Sequence, residues 1–542
     1  MMAAPALSAG VWRLDDLLAG FIAPGIEVPS VPLAGLALDS RKAGPGALFL
    51  ACQGGQAHGL DFARELAGRG LGAIAAEPSG TWPAAAISAL ATELDLPVIP
   101  VEQLGTRAGA IAARFHHDPS VALEVIGITG TNGKTSVSHF VAQSLTPETR
   151  CAVIGTLGQG FPGALSGTGM TTPDALSLQA MLADLRQQGA EAVAMEVSSH
   201  ALAQRRADAV HFDFALLTNL TRDHLDYHDS MDAYAAAKAR LFAFPDLRWA
   251  ILNADDDFTS RVLGSLAQEV RLALYSLKPV LSLPAGVRGR CDLLLCTQEL
   301  ALHQRGLSLS VQAWRPAAGG DLQEGVIQAD LVGRFNAANL LATLTLLLAR
   351  GARFETALRQ LGQVRGVPGR MECFGAPGEP LCVVDYAHTP DALEQALREL
   401  RSHCAGKLIV VFGCGGERDR GKRPLMGRAA ARLADHIILT DDNPRHEDGD
   451  TIIAEILAGM HGIGTHKLDA SGRQVDGGIS TSEIERQRAV AIRRALLLAG
   501  PEDAVLIAGK GHESEQDMGE LKVRFSDRAQ VVQALREWRG RI

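Results

Sequence analysis

Aromatic residues are scarce. Phe, Tyr and Trp make up 5% of the 542 residues, too few for the extended stacking platforms that hold single-stranded nucleic acid. Positive charge is also short. The 52 Lys and Arg face 61 Asp and Glu, a net charge of −9, which argues against a partner held by its phosphate backbone. No nucleic-acid partner is expected, although a local basic pocket for a phosphorylated small molecule stays open. The eight cysteines, at 52, 151, 291, 296, 373, 382, 404 and 414, never form C-x-x-C. A chain this long builds its cores without staples, so reduced thiols are expected. No apolar run reaches ~18 uncharged residues, so no membrane span is expected. The N-terminus lacks a basic stretch and meets Asp15 and Asp16 early, unlike a secretory signal. These signs point to the cytoplasm.

What is present is ordinary for a globular protein: 47% hydrophobic and 21% charged residues. The length suggests ~3 to 4 domains, and the pattern resolves three α/β units. Residues 1–104 read as a small unit, with ALFLACQG a buried strand and FARELAGRGLGAIAAE a helix running into another. In residues 105–366 apolar strands (LEVIGIT, EAVAMEV, FALLTNL, WAILNAD) alternate with helices such as KTSVSHFVAQSL, which predicts a mostly parallel sheet with helices on both faces. The turn-rich joint RGVPGRMEC, Arg365 to Cys373, leads into a third unit, 367–542. There LCVVDYAH, KLIVVFGCGG, HIILTDDNPR and AVLIAGKGHE are four apolar strands, each ending in a polar loop. Ligands of open α/β sheets bind at the carboxyl ends of strands, and these ends carry Asp385, His388, Arg418, Asp442, Arg445, Lys510 and Glu513. Two stretches read as peripheral: WRPAAGGDLQEG, Trp314 to Gly325, as a hairpin loop, and the glycine-rich insertion around 462–480 as mobile.

The stretch VIGITGTNGKTSVSHF, Val125 to Phe140, carries the strongest chemical signal. Glycines between a strand and a helix let backbone N–H groups approach phosphate oxygens, and the helix N-terminus favours their charge. Lys134 supplies a cation and the Thr135 hydroxyl a ligand for Mg²⁺. The strict G-x-x-x-x-G-K-[ST] pattern is not met, since position 128 is Ile. With strand, loop, Lys-Thr and helix all in place, a polyphosphate, ATP above all, is expected in preference to a plain glycine turn. Further on, MEVSSH puts Glu196 at a strand end, TNLTRDHLDYH carries His224 and His228, and AAKARLF carries Lys238. A carboxylate and a histidine near the loop threonine can hold hard cations that bridge phosphates. Two histidines four apart without a third ligand are a poor zinc site. Taken alone, each histidine reads as a turn or cap residue, His228 more than His224, and Lys238 as a lysine snorkelling from an apolar helix.

The motifs ITGTNGKTS, TTPD, MEVSSH, TNLTRDHLDYH, AAKARLF, LVGRFNAANLLA, VPGRME, DYAHTPDAL, GCGGERDRGKRPLMG, TDDNPR, AGKGHE and FSDR, with LDSRKAGPGALFLA near the N-terminus, resemble in order those of the Mur ligases. The resemblance spans about residues 35 to 530 and is strongest to the members that add the third residue of the peptidoglycan stem peptide. It implies a small N-terminal domain for the UDP end of the substrate, a central P-loop-type ATP domain and a C-terminal Rossmann-like domain for the incoming amino acid. Leu38 and Ser40 would lie near the uridine. Thr171, Thr172, Ser198, Gln204 and Arg206 would line the path of UDP-N-acetylmuramoyl-L-alanyl-D-glutamate. Gly130, Thr131, Asn132, Gly133, Lys134, Thr135 and Ser136 would hold ATP, with Asn336, Arg370 and Asp385 around the nucleotide. Thr135, Glu196, His224 and a carbamylated Lys238 would serve Mg²⁺.

Within the family the loop TDDNPR is tied to the amino acid added. Members reading D-N-P-R add meso-2,6-diaminopimelate, and the physics agrees. The extra carboxylate of diaminopimelate suits a bidentate arginine, Arg445, whereas the cation of L-lysine would be repelled. Arg418, Asp442, Asn443, Pro444, Gly509 and Glu513 complete that pattern. Two rival readings share the ATP loop: a folylpolyglutamate synthetase, which needs a pterin site, and a regulatory ATPase, which needs no amino-acid pocket.

Overall fold

Among the described residues, three sheets of four or more strands organise the fold. The computed structural model describes residues 11–540 except 56, 147, 280–289, 317–321, 461–465, 469–473 and 477–480, with backbone alone for 466–468 and 474–476. The N-terminal sheet orders Gly35–Ala37, Ala47–Ala51, Ala73–Ala76 and Val98–Pro100, all parallel. Its strand ALFLA is buried at every position, as a parallel sheet covered on both faces requires. The helix Leu104–Phe115 turns Leu104, Ala108, Ile111 and Ala112 into the cluster that holds Leu14, Leu17, Leu48 and Leu50. The same cluster takes in Leu176 of the helix Ala175–Gln187, and a Cβ on Gly109 would lie 3.6 Å from Ala175, so the helix bridges the first sheet and the central unit. Sequence periodicity marks an apolar stripe but not the sheet that receives it.

The central sheet has eleven strands among the described residues. Seven run parallel, in the order Cys151–Gly155, Ala192–Glu196, Glu124–Thr129, Phe214–Leu217, Trp249–Asn253, Arg271–Ser276 and Leu293–His303. Antiparallel hairpin strands extend both edges. The run EVIGIT shows why these strands lack polar alternation: Val125 enters one core cluster and Ile126 and Ile128 the other, because successive side chains leave opposite faces and both are covered. Helices Lys134–Leu145 and Arg334–Arg350 cover one face, and Ala175–Gln187 the other.

The C-terminal sheet orders Glu372–Phe374, Leu381–Asp385, Ala504–Ala508, Leu408–Phe412, His436–Leu439 and Thr481–Ile484, parallel apart from the first pair. The four strands expected from sequence take neighbouring places, which gathers their polar loops at one edge. The joint carries Val367 in the central core, where Val364 just before it also lies, and Met371 in the C-terminal core. Its residue Arg365 is tied to the helix after the glycine loop, since Gln143 Oε1 accepts from Arg365 N (2.8 Å) and Gln143 Nε2 donates to Arg365 O (3.2 Å).

The expected loop Trp314 to Gly325 is shorter than it reads. Leu322–Ala329 is a strand paired with Gly306–Trp314, and 317–321 lie outside the described residues. Of the glycine-rich insertion, the ribbon His466–Leu468 with Gln474–Asp476 is described. The rest lies outside. Among the described residues no helix is long and apolar enough to cross a membrane.

Candidate active site

The glycine loop leaves the central strand Glu124–Thr129 between two parallel neighbours, and the loop after Phe214–Leu217 braces it. Thr218 Oγ1 donates to Asn132 O (2.6 Å), Asn219 exchanges side-chain bonds with both polar backbone atoms of Asn132, and Thr221 N donates to Thr131 Oγ1 (2.9 Å). Gly130 has φ +146°, and a Cβ there would stand 1.9 Å from Thr218 Oγ1. The loop therefore needs glycine for space as well as for conformation. This bracing gives the first half of TNLTRDHLDYH a role that sequence reading missed.

Lys134 heads the helix Lys134–Leu145, and its ammonium donates to Gly130 O (2.8 Å) and Thr131 O (2.9 Å). Burial pulls its amine below the ordinary lysine value against the pull of Glu196. Thr135 and Ser136 are buried in the first turn. Thr135 Oγ1 donates to Glu196 Oε2 (3.0 Å), which also accepts from Thr156 Oγ1 (3.1 Å), while Glu196 Oε1 accepts from Thr156 N (2.9 Å). A buried carboxylate ringed by hydroxyls at the foot of a phosphate-type loop is the donor chemistry of a hard cation such as Mg²⁺.

Lys238 does not snorkel. It is 1% exposed, its Nζ donates to Gly130 O (2.7 Å) and it lies 4.6 Å from the Tyr234 ring centroid. Burial first, and the neighbouring Lys134 second, hold its amine well below the usual lysine value. His224 lies at the head of the short helix Leu225–His228. It has φ +53° and lies among rings, 4.9 Å from His200 and 6.0 Å from Tyr234, with Asp223 at 3.4 Å. Among the described residues no three His, Cys, Asp or Glu side chains are gathered as a ready-made metal cage. His228 is a packed residue, buried and bonded to Ser199 Oγ at 2.9 Å.

The residues expected along the substrate path form one strip. Thr171 Oγ1 meets Thr156 Oγ1 (3.1 Å), and Thr172 Oγ1 donates to Glu196 O (2.8 Å) and accepts from Ser198 N (3.0 Å). Arg206 donates to Thr172 O and to Gln204 Oε1, both at 2.9 Å, and Gln204 donates to Tyr227 OH (2.9 Å). Leu38 and Ser40 follow the strand Gly35–Ala37 of the N-terminal sheet, with Leu38 packed on its core. Asn336 is held by Val332 O (2.8 Å) and accepts from Asn339 (3.1 Å). Asn339, missed from sequence, abuts Gly133: a Cβ there would lie 2.6 Å from its Oδ1. The signal was available, since residues three apart share a helix face. Arg370 lies over the Tyr386 ring at 5.2 Å with its Nε buried and unbonded, and its charge reaches Lys134. Asp385 accepts from Met371 N (2.7 Å) and Ala387 N (2.8 Å), and burial raises its carboxyl.

A second pocket lies at the carboxyl edge of the C-terminal sheet. Arg445, at φ +54°, donates from Nη1 to Gly416 O (2.7 Å) and stands 3.6 Å from Asp517. Gly415 is flanked by Arg445 Nη1 and the Arg418 stem, and Gly416 by Pro444 O. The same strand ends carry Asp442, buried so that its carboxyl is raised, and Glu513, bonded by Asn443 Nδ2 (3.0 Å). Gly509, φ +112°, leaves room for Asp442, whose Oδ2 a Cβ would meet at 2.3 Å. Sequence reading missed the braces. Fully buried Arg423 bonds Glu447 through both oxygens (2.8 Å each), Glu455 (2.7 Å) and Gly415 O (3.2 Å). Gln516 Nε2 holds Asp442 O (2.8 Å).

Comparison with known proteins agrees with this layout. Residues 32–116 match the model described as the Mur ligase family catalytic domain, 128–347 the Mur ligase middle domain, and 369–511 the Mur ligase glutamate ligase domain. A UDP-N-acetylmuramoyl-L-alanyl-D-glutamate–2,6-diaminopimelate ligase of Alkalilimnicola ehrlichii is 48% identical over 511 residues, covering 94% of this chain and 96% of that one. The ligase of the same name from Coxiella burnetii is 44% identical over 506 residues, 93% and 96% of the two chains. A solved structure of a ligase with that name superposes with a TM-score of 0.68 at 32% identity, over 98% of this chain and 100% of that one.

Proposed function

The chain belongs to the Mur ligase family of ATP-dependent amide ligases, and we propose that it joins meso-2,6-diaminopimelate to UDP-N-acetylmuramoyl-L-alanyl-D-glutamate. The observation that carries this substrate choice is the charge pattern of the C-terminal pocket. Arg445 and Arg418 lie about Gly415, and the neighbouring strand-end loops carry Asp442, beside Gly509, and Glu513, bonded to Asn443. Diaminopimelate brings two carboxylates and two ammonium groups to such a pocket. L-Lysine lacks the distal carboxylate that an arginine would bind bidentately.

Joining a carboxylate to an amine in water is uphill, so the carboxylate is first activated. The D-glutamyl side-chain carboxylate attacks the γ-phosphorus of ATP, and the bond to the β-γ bridging oxygen breaks, giving ADP and an acyl phosphate. The amine of diaminopimelate then attacks the acyl carbon and phosphate leaves with the former C–O electron pair. The amine's proton passes to solvent. Both reactants of the first step are anions. Lys134 and the N–H groups of the glycine loop offset their repulsion. Thr135 and Glu196 would hold Mg²⁺, with His224 and a carbamate on Lys238 serving a second ion, and bound Mg²⁺ neutralises phosphate charge.

The decisive assay is ADP release with the UDP-linked dipeptide and a panel of amino acids. Release should require both the dipeptide and diaminopimelate. A preference for glutamate on a folate, or amino-acid-independent turnover, would favour the rival readings. Arg445→Ala should cost ~2 to 5 kcal/mol in kcat/KM for diaminopimelate, as a buried charge loses its partner, while ATP and dipeptide binding change little. The disadvantage of L-lysine should shrink in the variant. An unchanged ratio of the two amino acids would make Arg445 only a turn residue.

ATP on the central domain must also reach an amine on the C-terminal domain. We expect the joint Arg365 to Met371 to let the two close. Solution scattering should report a smaller radius of gyration with an ATP analogue and dipeptide bound, and an unchanged profile would count against closure.

A further inference from the structure

One charge in the C-terminal pocket has no part in the reading above. Lys510 follows the strand Ala504–Ala508 in the sequence AGKGHE and is 0% exposed. The glycines on either side have φ +112° and +53°. A Cβ on Gly511 would stand 2.8 Å from the Tyr386 side chain. The chain is thus bent on both sides of the lysine. Burying an ammonium is costly unless it is paired and hydrogen-bonded. Here Nζ donates to Glu513 Oε2 (2.8 Å) and Asn443 Oδ1 (2.9 Å).

We propose that Lys510 is a positioning residue of the amino-acid site, fixing the Asn443 amide and the Glu513 carboxylate in one orientation and keeping Glu513 an anion that receives a substrate ammonium. The network admits one amide orientation. Asn443 Oδ1 takes Lys510 Nζ and Asp517 N (2.9 Å), and its Nδ2 gives to Glu513 Oε2 (3.0 Å). Both bonds to Glu513 fall on Oε2. Among the described residues no protein donor reaches Oε1, and the side chain is 31% exposed, so that oxygen is free for a ligand. The other titratable groups acting here are Asp442, the fully buried pair Arg488–Asp527 (2.7 Å), His512 and Tyr386. Arg488 is already matched by Asp527. Burial alone would raise the Glu513 carboxyl, and the bonds from Lys510 and Asn443 outweigh it and hold it below the usual value.

The inference rests on the ligase reading, and Lys510→Met tests it by keeping length and bulk while removing charge. The variant should lose at least about tenfold in kcat/KM for diaminopimelate, mostly through KM, the worth of a charge-assisted bond. KM for ATP and dipeptide should stay within about twofold. The acid limb of kcat/KM against pH should move to higher pH, since Glu513 then protonates more readily. A uniform fall in kcat with an unmoved acid limb would mean a structural role only and overturn the proposal. If Lys510→Met does not fold, Glu513→Gln decides: it should abolish the acid limb, and a retained limb overturns the proposal. Native enzyme that refuses diaminopimelate defeats the ligase reading itself. Native enzyme that uses it alongside an unaltered Lys510→Met defeats this inference alone.

Discussion

Lys134→Ala should lower ligation by about three orders of magnitude or more while leaving the fold intact. Removing a single preorganised donor from a site of developing negative charge costs ~10²- to 10³-fold, and Lys134 is a full cation aimed at phosphates in a reaction between two anions. The fold should survive because the side chain supports the loop alone. Its Nζ bonds Gly130 O and Thr131 O, each bond worth ~1 kcal/mol net. The substitution also removes a repulsion, since Lys134 is one of the two causes that depress the Lys238 amine. Thermal unfolding should therefore shift by no more than a few degrees, with ADP release all but absent. Near-normal ADP release would sink the assignment of ATP to this loop.

How much of this was legible in the sequence depended on distance along the chain. The strand, glycine loop and helix around Lys134 are contiguous, and local chemistry alone identifies them. The four polar strand ends of the third domain were legible for the same reason. Their order was not: Ala504–Ala508 inserts between Leu381–Asp385 and Leu408–Phe412, a crossover that no strand announces by itself. The bracing of Asn132 by Thr218 and Asn219 joins residues far apart in sequence, and it arises because the two strands carrying them are parallel neighbours. Arg423 reads as one basic residue in the run GKRP, yet it is the fully buried centre of a clamp with Glu447 and Glu455. A surface arginine and a buried one have the same letter, and the partners that decide between them, Glu447 and Glu455, lie elsewhere in the chain.

Lys238 is where sequence pattern and physical setting diverge most, and Lys238→Ala is expected to lose on the order of 10³-fold in ligation. A lysine in an apolar helix would ordinarily reach for solvent. This one ends on Gly130 O inside the protein, beside Lys134. Two ammonium groups on one carbonyl repel, and burial penalises both, so the Lys238 amine is held toward its neutral form. A neutral amine is what CO₂ requires. Its nitrogen lone pair would attack the carbon, one proton would be released, and a carbamate with negative charge would result. We propose that this anion would serve the second Mg²⁺ together with His224, a contribution worth several kcal/mol in transition-state charge stabilisation. A short carboxylate in the buffer should then restore part of the lost activity, because it returns an anion to the vacated space. A second readout is independent of turnover: protein equilibrated with ¹³C-bicarbonate should show a carbamate carbonyl resonance that is absent from Lys238→Ala. An Ala variant that keeps its activity, or native protein without that resonance, would leave Lys238 as a buried amine that braces the glycine loop and nothing more.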